Sequence, residues 1–301
     1  MHKILKSALA GAAVVATLAS AAVHAQDAAE PLSVTTTPLK GNLYLLKGRG
    51  GNVVASVGQD GVMIVDDDYP QYASAYHDAL NALTDDEGVA SFVINTHWHG
   101  DHTGGNEYWG DRGAVIVAHT NVRERMSTRQ EMKAMDRVVE PSPRSALPVV
   151  TFGDSLALHF NDEDIEVQHL PSGHTDGDSV VFFTAHNLVH MGDHFFKDAF
   201  PFVDIGSGGN VLGFTRNIEA MLARVDDQTV IVPGHGSVAS KADLQRYLNM
   251  LKTTTALVQG KLEQGMSVEA ITEEGLGEEW SSWGQGFIKE GYWIGFIAGS
   301  L

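Results

Sequence analysis

The chain has 301 residues, 38 acidic side chains against 20 Lys and Arg, and a formal charge of −18. That excess of carboxylate argues against nucleic acid and anionic membrane surfaces as partners. With no cysteine and 14 histidines, disulfides are ruled out, and any metal site must rely mainly on His, Asp or Glu.

The first 25 residues read as a signal peptide. Lys3 and Lys6 open it, Ala8 to Ala22 form an Ala-rich apolar run, and Val23-His24-Ala25 offers small residues where a signal peptidase cuts. The run is short for a membrane span. Cleavage after Ala25 by a bacterial Sec-type route is therefore expected, giving a periplasmic or secreted product with no membrane insertion after cleavage. No Cys near the cut could carry a lipid anchor.

Residues 26–301 read as a single domain with a helical C-terminal tail. Gln26 to Pro38 is polar and expected to fray. Leu43 to Leu46 reads as a strand. Asn52 to Val57 and Val62 to Val65 are apolar runs joined by Gly58-Gln59-Asp60-Gly61, a hairpin signal. Tyr72 to Leu83 reads as a helix, Ser91 to Asn95 and Ala114 to Ala118 as strands, and Val122 to Met135 as a charged helix. Glu140 to Pro148, with three prolines, reads as a crossing between two halves.

The pattern then restarts. Ser155 to Phe160, Ile165 to Leu170, Ser179 to Thr184, Leu188 to Met191 and Val230 to Val232 read as strands, and Leu212 to Val225 and Lys241 to Leu262 as helices. Each half puts strands first and helices after, which is α/β organisation with a sheet covered on one face. In the tail, Trp280, Trp283, Phe287, Trp293 and Phe296 point to packing on the body or between subunits.

The chemistry concentrates in Thr96-His97-Trp98-His99-Gly100-Asp101-His102. In a strand or tight loop alternate residues share a face, so His97 and His99 can address one ion, and Asp101 and His102 a second. Two ligands each do not complete tetrahedral coordination. His174 in Pro171-Ser172-Gly173-His174, Asp193 in His190-Met191-Gly192-Asp193, and His235 in Pro233-Gly234-His235 each follow a strand beside glycine and are the candidates for the rest.

The string His97-X-His99-X-Asp101-His102, with His174, Asp193 and His235 downstream, resembles the metallo-β-lactamase superfamily over roughly residues 41–240. The resemblance implies a four-layer αββα sandwich and two zinc ions, with iron or manganese used by some relatives. It implies His97, His99 and His174 on the first ion, Asp101, His102 and His235 on the second, and Asp193 bridging both. The expected activity is hydrolysis of a small-molecule substrate by a metal-activated hydroxide, with Asp101 as the catalytic residue that orients the nucleophile and passes a proton to the leaving group.

A cyclic amide or ester of β-lactamase type leads the substrate readings. Lactone, thioester and other ester hydrolysis of the same fold is the alternative, and a non-catalytic periplasmic metal-binding protein the second alternative. Best-known lactamases of the family carry Cys where Asp193 stands. Lys197 and Asn210 resemble the family's Lys and Asn that hold a substrate carboxylate and carbonyl, although the Lys spacing is off by one. They are the candidate substrate contacts. Asp66, which ends the run Val62 to Val65, reads equally as an acceptor behind a ligand histidine or as turn chemistry.

Overall fold

A computed structural model describes residues 32–85 and 87–301, so the expected signal peptide lies outside the described residues. Residues 32–301 form one compact unit. The strands of its first half are β1 (Thr35–Pro38), β2 (Leu43–Lys47), β3 (Val53–Gly58), β4 (Gly61–Val65), β5 (Ala90–Ile94) and β6 (Val115–His119). A small hairpin follows, β7 (Gln130–Met132) with β8 (Arg137–Val139), and then β9 (Val150–Phe152). The second half contributes β10 (Ser155–Phe160), β11 (Glu163–His169), β12 (Ser179–Phe183), β13 (Leu188–His190) and β14 (Val230–Val232).

The first sheet has the order β1-β2-β3-β4-β5-β6-β9, antiparallel from β1 to β4 and parallel from β4 to β9. The second has the order β10-β11-β12-β13-β14, and only β13 and β14 pair in parallel. Period-2 alternation turns Ile165 and Val167 of β11 inward and Glu166 outward.

Between the sheets, Leu43, Val54, Met63 and Val117 of one meet Ile165, Val181, Phe183 and Val232 of the other in a shared core. Helices cover both outer faces. On the first sheet lie α1 (Ala73–Asn81) and α3 (Asn106–Gly110), with Tyr76, Leu80 and Trp109 packed on its outer side; α2 (Gly100–Thr103) follows β5, and α4 (Thr120–Met126) follows β6 and sends Val122 and Met126 into the cluster of the second half. On the second lie α5 (Val211–Arg224), α6 (Lys241–Glu263), α7 (Val268–Glu274) and α8 (Glu290–Ala298), which bring Phe214, Tyr247, Leu251 and Trp293 into the largest apolar cluster. The four-layer αββα sandwich expected from the sequence is what the chain builds.

Three local readings change. The charged helix expected over Val122 to Met135 stops at Met126, and the chain turns into the β7–β8 hairpin, reversing at Asp136 in the left-handed region (φ 47°). The segment expected to fray includes β1, which pairs with β2 in register Thr35 to Lys47. Past the proline-rich crossing, β9 returns to the first sheet beside β6 before the second sheet begins. The tail docks on the body: Trp293 of α8 is fully buried and its Nε1 donates to Thr254 Oγ1 of α6 at 2.9 Å. Among the described residues no helix is long and apolar enough to cross a membrane.

Candidate metal centre

Strand direction explains why the histidines meet. β11 and β13 both run antiparallel to β12, and β14 runs parallel to β13, so these three strands end at the same edge of their sheet. His174 follows β11, Asp193 follows β13 and His235 follows β14. From the other sheet, His97 and His99 follow β5, and Asp101 and His102 lie on α2. Irregular backbone beyond strand ends frees the side chains to converge.

All seven side chains come together in two adjoining groups. His97, His99, His174 and Asp193 bring ligand atoms within 4.8 Å of one another, and Asp101, His102 and His235 form the second group. Asp193 straddles them. Its Oδ2 lies 3.8 Å from His97 Nε2 and 3.5 Å from His174 Nε2, while its Oδ1 lies 3.1 Å from His102 Nε2 and 3.4 Å from His235 Nε2. Asp101 Oδ2 is 3.3 Å from His235 Nε2 and 3.7 Å from His102 Nε2.

Close approach here needs glycine. A Cβ on Gly51 would sit 2.1 Å from His102 Cε1, and one on Gly234 would sit 2.1 Å from Asp193 Oδ1. Neither side chain could keep its place beside a larger residue.

The far side of four of the five ligand rings is held, and the fifth, His235, stacks on Phe196. His102 Nδ1 donates to Asp66 Oδ2 at 2.8 Å, and His174 Nδ1 to the Phe202 carbonyl at 2.7 Å. His99 Nε2 donates to Asp204 Oδ2 at 3.0 Å, and His97 Nδ1 lies 3.1 Å from Thr96 Oγ1. These bonds set the tautomers, so the remaining ring nitrogens aim lone pairs inward. Asp66 satisfies both of its sequence readings. It sits in the left-handed region at φ 62°, and its carboxylate also accepts from Thr96 N and Thr96 Oγ1, each at 2.8 Å.

Do these residues fit a cation? Two observations say so. His97 Nε2 is buried without a hydrogen-bond partner, a costly state for a polar atom in a protein interior. His99 Nδ1 and His174 Nε2 face each other at 2.8 Å, although with their outer nitrogens protonated both are acceptors. Lone pairs crowded on one point suit a positive ion. Five imidazoles and two carboxylates are ligands of the kind divalent transition metals take.

The electrostatics agree. Burial pushes the His97 imidazole well below its usual range, and burial takes His174 down to about 4, so both stay neutral. Burial also acts on His235, but Asp193 and Asp101 outweigh it and raise that ring to about 9. For Asp101 and Asp193, burial pushes upward and the neighbouring His102 and His235 outweigh it, leaving both carboxylates ionised. The carboxylates thus draw positive charge into the cluster, and a cation binding there displaces imidazole protons.

A cavity of about 770 Å³ opens onto the cluster, with His99, Asp101, Asp193 and His235 in its wall. The candidate substrate contacts Lys197 and Asn210 are not in that wall. Lys197 Nζ donates to the Val238 carbonyl at 3.0 Å and lies 3.6 Å from Asp243. Asn210 caps α5, its Oδ1 accepting from Leu212 N and Gly213 N. Backbone demands claim both side chains. The cavity's own cations are Arg49 and Arg137, which no sequence motif marks. Asp204 is equally unmarked, 105 residues from its partner His99. His194 donates to no ligand; it meets Asn217 Nδ2 at 3.0 Å and stacks on Phe214.

A family model described as the metallo-beta-lactamase superfamily matches residues 36–235. The 2,4-dinitroanisole O-demethylase subunit alpha of Nocardioides sp. (strain JS1661) is 23% identical over 242 residues, which cover 80% of this chain and 69% of that protein. The metallo-beta-lactamase type 2 of Bacillus sp. (strain 170) is 30% identical over 165 residues, covering 53% of this chain and 57% of the relative, so this match spans little more than half of that lactamase. Among solved structures, DIM-1 metallo-beta-lactamase superposes with a TM-score of 0.60 at 18% identity over 73% of this chain and 98% of that one, a likeness of fold.

Proposed function

The chain belongs to the metallo-beta-lactamase superfamily and has the metal-binding hydrolase architecture of that family, and on that premise we propose that it is an exported dinuclear zinc hydrolase acting on a cyclic amide or ester. The observation that carries this reading is the position of Asp193, one carboxylate oxygen toward each histidine group, at the floor of an open cavity. His97, His99 and His174 would hold one ion, Asp101, His102 and His235 the other, and Asp193 both.

Bound there, the cations supply Lewis acidity to the scissile carbonyl and acidify the attacking water. The chain's own residues do the rest. Asp101 is the ligand-group carboxylate with the most exposed side chain, 24% accessible against 6% for Asp193. It lies in the cavity wall, where it orients the water, takes its proton and returns it to the leaving group. The apolar wall excludes bulk water around that transfer and holds the substrate body in place.

A second reading draws on the relative that aligns over most of this chain and is named for O-demethylation. It places cleavage of an aromatic ether beside that of esters, lactones and thioesters.

Zinc-loaded protein assayed with a chromogenic cephalosporin, a lactone, a thioester and an aryl methyl ether decides between these. Hydrolysis of at least one is expected, with Asp101→Ala cutting turnover at least a hundredfold while the melting temperature holds, the scale of general acid–base catalysis being about 10²–10⁴. No turnover of any substrate with both metals bound would turn the reading to a metal-binding protein without catalysis.

A further inference from the structure

The wall of the cavity has two chemistries that the metal centre does not use. Met126, Met132, Met135 and Val139 line it together with Trp98, Phe202 and Phe287. Met132 and Val139 belong to the β7–β8 hairpin, Met135 to its turn, and Phe287 to the segment before α8. Phe287 is 76% exposed, a large ring left in solvent at the rim of the site. Thioethers and aromatic rings together fit a flat apolar body, since sulfur adapts its contacts and favours aromatic partners.

The second chemistry is cationic. Arg49 and Arg137 both line the cavity and both are exposed. The Arg49 backbone is fixed, its N donating to Asp68 Oδ2 at 2.9 Å. Neither guanidinium has a hydrogen-bond or ion-pair partner among the described residues. In a chain with 38 acids and 20 bases the contrast is with Arg125, Arg224 and Arg246, each of which meets a carboxylate. Apart from the ligand groups, the one other charged side chain in the wall is Glu107, so the rim carries a net positive charge. A planar guanidinium fork matches a carboxylate or a similar oxyanion.

We infer that the cavity selects an arene-sized apolar substrate bearing an anionic group, with the ring held by the hairpin methionines and Phe287 and the anion by Arg49 and Arg137. The inference deepens the hydrolase reading, because it takes this cavity as the place where substrate meets the metal centre. It also moves anion recognition away from Lys197, which is bound to the Val238 carbonyl.

The test uses binding, so that it does not depend on turnover. Titration calorimetry on the zinc-loaded full chain would compare naphthalene-2-carboxylate with its neutral amide. The carboxylate should bind more tightly. In Arg137→Gln, Arg49→Gln and the double variant, the carboxylate-to-amide affinity ratio should fall, by about tenfold or more in the double variant, the scale of hydrogen bonds to charged groups. Phe287→Ala should weaken both ligands and keep the ratio. Both arginines are exposed, so unchanged melting is the control for folding. A ratio unmoved by the arginine variants would mean that the carboxylate sits on the metals, and would overturn the assignment. Loss of both ligands alike in Arg137→Gln would overturn it too. If binding follows this pattern but no substrate is turned over, the hydrolase reading fails and the recognition site stands. Hydrolysis with no dependence on the arginines would do the opposite, keeping the hydrolase and removing the recognition site.

Discussion

His102 donates through Nδ1 to Asp66 Oδ2 at 2.8 Å while its Nε2 faces Asp193 Oδ1 at 3.1 Å. A carboxylate behind the ring fixes the tautomer and raises the basicity of the nitrogen in front. Asp66→Asn keeps a residue type that tolerates the left-handed backbone and removes the charged acceptor. Competition with a colorimetric chelator should show zinc held about 10–100-fold more weakly. Unaltered affinity would make Asp66 a turn residue only.

Metal occupancy should also appear as stability. Stabilisation by a ligand that binds only the folded state reaches about 2.7 kcal/mol at a free concentration about 100 times its Kd. Melting followed by circular dichroism should therefore fall by several degrees on chelation and recover with zinc. An identical melt with and without chelator would show that the cluster holds no metal.

Asn210 tests the division between capping and substrate contact. Its Oδ1 caps α5 at 2.9 Å and 3.0 Å from two backbone amides. Asn210→Ala should cost about 1 kcal/mol of unfolding free energy, the usual worth of such a cap. Urea titration measures this, and KM for any substrate found should not move. A raised KM at intact stability would return Asn210 to the binding site.

The stacked pair His119 and His169, with ring centroids 3.8 Å apart, carries a pH dependence away from the metal centre. Burial, reinforced by His169, lowers His119 to about 4, with Asp176 and Asp154 pulling weakly the other way. The unfolded imidazole titrates near ~6.5. Between these values the unfolded chain binds the proton and the folded chain does not, so stability falls as pH drops from about 6.5 to about 4 and levels off below. Protonation also removes the acceptor that His119 Nδ1 offers to Asn121 N at the start of α4. His119→Asn keeps a capping acceptor and deletes the titration. Its urea midpoint should lose less than the native protein's between pH 7 and pH 4.5; parallel loss in both would locate the acid sensitivity elsewhere.

How much of this is legible in the residues alone depends on distance along the chain. His97, His99, Asp101 and His102 announce themselves because the ligands fall within six positions and the turn of α2 is local. Asp204 does not, because only folding brings it from the turn before α5 to His99. The hairpin β7–β8 is hidden for a different reason. Met126, Met132 and Met135 sit among charged side chains at a spacing a helix also accepts, and the pairing of Gln130 with Val139 that decides otherwise is tertiary. In β1, Pro38 and three threonines look like a loose terminus, yet an edge strand accepts proline and needs a partner on one side only. Lys197 and Asn210 show the converse: a motif-like position says nothing about which backbone groups nearby will claim the side chain.

The hairpin and the stretch that carries Phe287 stand outside the two sheets, while the seven ligand residues are rooted at strand ends and on α2. Exchanging either appendage leaves the ligand residues' own backbone untouched. Preference for one compound over another can therefore drift through exposed positions such as Arg137 and Phe287, at little risk to the reactive core. A laboratory library confined to those positions should yield new specificities far more often than one aimed at the histidines.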